Sequence, residues 1–262
     1  MGVVSAGKSY QLVMFDLDDT LAPSKSPMSA EMADLFRRLL HTSMAAIISG
    51  GNYQQFSAQV LDQLGEFDDL SRLHLLPTNG TQYVRHGDEG WEVVYAENLT
   101  DDQKQRAMDV LETGAKELGL WETETWGPVL EDRGSQITFS ALGQKAPVEA
   151  KSAWDPDNSK KEKLRAYAAE RLPDLEVRSG GSTSVDVTKK GVDKAYGTRK
   201  LMEILDLTTD DILYFGDRLD PGGNDHPVLE LGIDCVAVKG WQDTYARLTA
   251  VLDETDSARP NH

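Results

Sequence analysis

Apolar positions in this chain fall into two alternating kinds of segment. Short continuous runs read as buried strands, and stretches with apolar residues every three or four positions read as helices. Residues 9–17 (SYQLVMFDL) form the first run and end in carboxylates. Residues 29–41 carry Met32, Leu35, Phe36 and Leu39 at helical spacing, with Ser29 placed to cap the N-terminus. A second run, Met44–Ile48, stops at Ser49-Gly50-Gly51, and Tyr53 to Leu64 then reads as one helix. Strand, helix, strand, helix at this spacing predicts a doubly wound, mostly parallel, Rossmann-like α/β sheet.

The middle of the chain breaks that rhythm. Residues 82–95 read as a hairpin turning at Gly87–Gly90, and 100–119 as an acidic amphipathic helix. Residues 129–140 alternate as strands do, 159–171 read as a helix, and 183–187 (TSVDV) as a short strand. From Lys194 the βα rhythm returns. It gives a helix to Leu205, a strand over Ile212–Phe215, a short helix over His226–Leu231, a strand over Cys235–Val238 and a last helix over Asp243–Leu252. Beyond Asp253 the polar tail is expected to fray. The expected layout is a core built from residues 1–84 and 187–262, interrupted by an α+β insert over 85–186.

Composition narrows the partners. The 262 residues are 39% apolar and 27% charged, an ordinary globular balance. A net charge of −17 repels nucleic acid and anionic membranes alike, so neither is an expected partner. Cys235 is the single cysteine, which rules out an internal disulfide and fits a cytoplasmic location. No apolar run approaches the roughly 20 residues of a membrane helix.

Four stations at predicted strand tips carry candidate chemistry, at the edge where open α/β sheets bind ligands. In the first, Asp16-Leu17-Asp18-Asp19-Thr20, Asp16 can attack phosphorus and Asp18 can move protons to and from the reacting oxygens. In the second, the Ser49 hydroxyl and the backbone N–H groups of Gly50 and Gly51 can hold a phosphoryl oxygen. The third is Lys194, at a predicted helix start, able to offset charge on a carboxylate and a phosphoryl group. The fourth is Gly216-Asp217 followed by Gly222-Gly223-Asn224-Asp225, an oxygen-rich loop suited to magnesium. Taken singly, these also read as a capping turn, a glycine turn, a solvated lysine and an acidic loop. Their order and spacing argue for a site.

Together the stations resemble the haloacid dehalogenase (HAD) superfamily, and within it the eukaryotic-type phosphomannomutases. DLDDT is similar to the first superfamily motif. FGDRLDPGGNDHPVLELG, with GVDKAYG before it and WQDT after it, resembles the phosphomannomutase branch more specifically, as does NGTQYVR. The resemblance implies a HAD core with a cap domain, a nucleophile at Asp16 and a general acid/base at Asp18. It implies Mg2+ held by Asp16, the backbone carbonyl of Asp18 and Asp217, with Asp225 ligating or supporting these, and phosphate contacts from Ser49, Gly50 and Lys194. In the cap it implies substrate contacts at Arg133, Ser184 and Asp186. Three family arginine positions align with Lys25, Gln144 and Lys151, so charge or the bidentate fork is lost there. The expected reaction is interconversion of mannose 1-phosphate and mannose 6-phosphate through an aspartyl-phosphate. The alternative is hydrolysis of a sugar phosphate. A homodimer through the cap is expected by the same resemblance.

Overall fold

In a computed structural model, residues 2–180 and 182–258 are described. The chain divides into two compact units, residues 1–95 with 193–262 and residues 96–192. The thirteen strands among the described residues are β1 (Val3–Ser5), β2 (Lys8–Tyr10), β3 (Leu12–Phe15), β4 (Met44–Ile48), β5 (Leu73–Leu76), β6 (Gln82–Gly87), β7 (Gly90–Ala96), β8 (Leu130–Asp132), β9 (Gln136–Ser140), β10 (Leu175–Ser179), β11 (Ser184–Lys189), β12 (Ile212–Gly216) and β13 (Asp234–Ala237).

The first unit is built on a seven-stranded sheet ordered β13-β12-β3-β4-β5-β6-β7. The run from β13 to β5 is parallel, and β6 joins antiparallel to β5. Alternation along β3 explains why both sheet faces are covered. Val13 and Phe15 pack into one apolar cluster with Phe36, Leu39 and Leu248, while Leu12 and Met14 enter another with Leu201 and Val228. Phe15 stacks on Phe215 at 5.1 Å and tilts against Phe36 at 5.6 Å, all three fully buried. Each such side chain contributes about 2–3 kcal/mol by leaving water. The helix Ala30–Thr42 starts where Ser29 accepts the Met32 N–H, as its sequence predicts.

Four differences from the sequence expectation have physical causes. The 9–17 run is not one strand: it breaks at Gln11, whose backbone N–H turns aside to Asp211 O, and Lys8–Tyr10 pairs with β1 instead. β5 went unread because His74 interrupts its apolar run and Pro77 closes it. The hairpin at 82–95 belongs to the core sheet, so the core extends to Tyr95 instead of residue 84. The return to the first unit falls at Asp193 instead of residue 187, because β11 runs unbroken to Lys189 in the sheet of the second unit.

The second unit is an antiparallel sheet ordered β10-β11-β9-β8 with helices Asp101–Glu117, Val148–Trp154 and Ser159–Arg171. Ile137, Phe139, Val185 and Val187 pack with Leu111 and Leu164 in its core. The intervening positions of the same two strands are polar: Gln136, Thr138 and Ser140 lie opposite Thr188, Asp186 and Ser184. The last helix of the chain, Trp241–Ala258, runs past Asp253, where fraying was expected.

Candidate active site

The parallel strands deliver the stations to one sheet edge. Asp16 follows β3 directly, and its N–H donates to Phe215 O at 3.0 Å, tying it to the tip of β12. Ser49 follows β4, and Asp217 follows β12. Lys194 is the first residue of the helix Lys194–Leu205, whose N-cap Asp193 accepts the Tyr196 N–H.

Lys194 is the hinge of the arrangement. Its ammonium lies 2.6 Å from Asp16 Oδ1 and 2.7 Å from Asp225 Oδ1, with all three side chains buried. Asp225 is completely enclosed. Its Oδ1 also accepts the Tyr214 hydroxyl at 2.5 Å, and its Oδ2 accepts the Arg218 N–H at 3.0 Å. Three donors therefore occupy most of its acceptor capacity. Asp16 Oδ1 is fixed by Lys194 and by the Leu17 N–H at 2.7 Å. Thr20 Oγ1 reaches Asp217 Oδ1 at 3.4 Å.

The electrostatics are those of excess negative charge held out of water. Burial raises the Asp16 carboxyl well above the usual range, and the nearby Asp225 and Asp217 add to this against the pull of Lys194. Asp217 is raised by burial and then by Asp225. Burial disfavours the charged forms of Asp225 and Lys194 too. Charge attraction wins in both: Lys194 holds Asp225 below its ordinary value, and Asp16 and then Asp225 hold Lys194 above its own. Three carboxylates, those of Asp16, Asp217 and Asp225, bring ligand atoms within 4.8 Å of one another, and one ammonium does not balance them. A hard divalent cation fits such a donor set. Asp16 and Asp217 are the carboxylates with acceptor capacity to spare, while Asp225 is bonded to Lys194 and to the Arg218 N–H of the loop.

Asp18 turns another way. Its Oδ1 accepts the Lys25 N–H at 2.7 Å and Gln59 Nε2 at 3.1 Å, and its Oδ2 accepts Gln55 Nε2 at 3.2 Å. Lys25 thus meets Asp18 through its backbone, in a left-handed conformation (φ 52°), while its side chain is exposed. Gly51 makes room for Gln55, since a Cβ there would lie 2.4 Å from Gln55 Oε1.

The Ser49-Gly50-Gly51 loop, expected to hold a phosphoryl oxygen, differs from expectation in one respect. The Gly51 N–H donates to Ser49 Oγ at 3.1 Å, so it is already used within the loop. A second loop, after β5, braces it: the Thr78 N–H donates to Gly51 O and the Asn79 N–H to Ser49 O, each at 2.9 Å. Thr78 and Asn79 pay for this reach with left-handed backbones (φ 49° and 55°). Gly80 beside them touches Gly197, where a Cβ on Gly80 would lie 2.3 Å from Gly197 Cα. The Lys194 helix and the Ser49 loop are therefore locked together. Sequence reasoning missed Tyr214, Gln55, Gln59 and this Thr78-Asn79 brace. The PTNG turn signal after an unread strand was the available clue.

In the second unit, Arg133 bonds Glu131 through Nε at 3.0 Å and Nη2 at 2.8 Å. Gln144 Nε2 donates to Ser140 Oγ at 2.7 Å, and Lys151 Nζ donates to Gln144 O at 3.2 Å. Ser184 meets Ser140 at 3.1 Å, and Asp186 Oδ1 accepts Thr138 Oγ1 at 2.8 Å. The predicted cap residues thus gather around the polar face of β9 and β11.

A model of the haloacid dehalogenase-like hydrolase family matches residues 13–244. The chain belongs to that family. It is an enzyme of the HAD phosphotransferase kind. Among curated proteins it is 26% identical to phosphomannomutase 1 of Mus musculus over 230 residues, covering 84% of each chain. It is 27% identical to the phosphomannomutase of Saccharomyces cerevisiae over 231 residues, covering 84% of this chain and 85% of that one. A haloacid dehalogenase-like hydrolase from Bacteroides thetaiotaomicron shares the fold, with a TM-score of 0.63 at 16% identity, covering 92% of this chain and 99% of that one.

Proposed function

We propose that this enzyme transfers a phosphoryl group from a hexose phosphate to Asp16 in a magnesium-dependent reaction. The observation that carries the reading is the buried Lys194 ammonium shared between Asp16 and Asp225. With Asp16 Oδ1 anchored by two donors, Oδ2 is the oxygen that attacks phosphorus. The bond from phosphorus to the sugar oxygen breaks, and Asp18 delivers a proton to that oxygen. Lys194 and the Ser49 hydroxyl stabilise charge on the transferring group, with the Gly50 backbone beside them. In the second half, Asp18 takes the proton of the incoming hydroxyl as its oxygen attacks the aspartyl-phosphate. Asp16, Asp217 and the Asp18 carbonyl would hold Mg2+, which supplies positive charge opposite the phosphoryl oxygens.

The named relatives are phosphomannomutases, and they support a sugar hydroxyl as acceptor, converting mannose 1-phosphate to mannose 6-phosphate. Arg133, Lys151, Ser184 and Asp186 are then the cap's substrate contacts. A second reading, hydrolysis, draws support from two cap features: Gln144 carries no charge, and Arg133 is engaged with Glu131. Phosphorus NMR of mannose 1-phosphate with Mg2+ and a catalytic bisphosphate activator separates them. Growth of a mannose 6-phosphate signal supports the mutase, and free phosphate alone supports hydrolysis. If every hexose phosphate is left unchanged, the proposal fails.

A further inference from the structure

Asp18 is held by more than its own loop. Gln55 and Gln59, four positions apart on one helical segment, both turn their amides to its carboxylate. Gln59 is 3% exposed. Its Nε2 donates to Asp18 Oδ1 at 3.1 Å and to Ser26 O at 2.9 Å, and its main-chain carbonyl accepts the Met28 N–H at 2.8 Å. The same stretch of chain, residues 25–28, gives the Lys25 N–H to Asp18 Oδ1 at 2.7 Å. Gln59 therefore binds the Asp18 carboxylate and the 25–28 segment together.

This arrangement leaves Gln59 Oε1 buried without a partner, which costs stability. Turning the amide over would set Oε1 against Asp18 Oδ1 and Ser26 O, acceptor against acceptor, so its partners fix its orientation. A methionine of similar length would fill the space without a stranded acceptor, so packing alone does not account for an amide here. What the amide adds is the bond to Asp18. Two N–H donors then occupy Oδ1, and one, Gln55 Nε2 at 3.2 Å, occupies Oδ2. Each carboxylate oxygen has room for about two donors. Among the described residues, Oδ2 is therefore the oxygen with a site left open.

We propose that Gln59, seconded by Gln55, is a positioning residue for Asp18: it fixes the rotation of the carboxyl so that the proton is exchanged through Oδ2. The inference rests on the acid/base reading of Asp18 above. In the first half-reaction the Oδ2–H bond breaks. Its proton goes to the sugar oxygen as the bond from that oxygen to phosphorus breaks and the bond from Asp16 forms. In the second, Oδ2 takes the proton of the incoming hydroxyl as the Asp16–phosphorus bond breaks. Gln59 exchanges no proton in either.

The test separates a leaving oxygen that needs a proton from one that does not. The full chain with Mg2+ is mixed with mannose 1-phosphate or with p-nitrophenyl phosphate, whose nitrophenolate leaves unprotonated. Phosphorylation of Asp16 is followed in a single turnover by rapid quench. Gln59→Met should slow phosphorylation by mannose 1-phosphate about tenfold to a hundredfold, and slow the nitrophenolate burst far less. Gln55→Met should separate the two rates in the same direction, by a smaller factor. Melting curves show whether each variant is folded, and if Gln59→Met is not, Gln55→Met decides. Equal slowing with both substrates marks a merely structural role and overturns the inference, as does no slowing with either. If p-nitrophenyl phosphate labels the wild type and no hexose phosphate does, the hexose reading fails alone. Phenyl phosphate, with its more basic leaving oxygen, then takes the sugar's place in the comparison. No phosphoenzyme from any of these esters overturns both.

Discussion

At the residue scale, Lys194 bears most of the argument. A lone lysine after Gly191 has no distinctive spacing, and its order among the other stations is what suggests that it offsets charge; the fold adds that two buried carboxylates, Asp16 and Asp225, converge on it. Replacing it with Met leaves Asp16 and Asp225 buried without their counter-charge. A loss of about 3 kcal/mol of stability at neutral pH is expected in urea titrations, together with loss of turnover. Asp16→Asn should fold normally, since neutralising a carboxyl whose pKa is already raised costs little, and should lower turnover by roughly 10⁴ or more. A third residue gives a pH signature away from the chemistry. His74 is buried in β5, its Nδ1 paired with the Tyr83 hydroxyl at 2.8 Å and its Nε2 without a partner. Burial, helped by Arg85, lowers its pKa from 6.5 to about 4. The folded state therefore resists protonation while the unfolded chain accepts it. Stability is full above pH 6.5 and falls as pH drops toward 4, by up to about 3 kcal/mol. His74→Leu should flatten that part of the stability-versus-pH curve.

At the element scale, legibility followed burial. Helix Ser159–Arg171 and strand Met44–Ile48 have the bounds their patterns predict. Strand β5 was hidden by one buried histidine, whose neutral ring behaves as a core side chain. The segment 53–64 reads as one regular helix, yet its middle turn, Ser57–Leu61, is π-helical, and nothing in apolar spacing announces a widened turn. The widened turn lies within the stretch carrying Gln55 and Gln59, the two glutamines that hold Asp18. The contact between Gly80 and Gly197 was equally unreadable, since two glycines far apart in sequence reveal no proximity. Gly197→Ala tests that contact: its Cβ would lie 2.6 Å from Asn79 O. A destabilisation of about 1–3 kcal/mol is expected, with a loss of activity larger than the lost stability explains, because the Ser49 loop and the Lys194 helix would move apart.

At the scale of the whole molecule, the chain is acidic, with a net charge of −17, and it gathers three carboxylates against one ammonium at the sheet edge. No helix among the described residues is long and apolar enough to cross a membrane. The core site was largely legible in the sequence, because each station sits at the end of an apolar run that fixes its place in the sheet. The cap was less legible. The candidate residues there lie largely at alternate polar positions of two strands, and polar positions carry no signal of what they face. The acidic site predicts a measurable linkage. Magnesium should raise the melting temperature of the wild type, by an amount equal to about 2.7 kcal/mol of stability at a hundredfold excess over Kd. Asp217→Asn should remove most of that rise.

The central claim is that Asp16 carries the phosphoryl group. It is tested most directly by mixing the enzyme with magnesium and ³²P-labelled hexose phosphate, quenching in acid within milliseconds, and mapping the label by peptide. The account predicts label on the peptide containing Asp16, released by hydroxylamine as an acyl phosphate is, and absent from Asp16→Asn. Label on another residue, or rapid turnover with no labelled enzyme at any time, would contradict it.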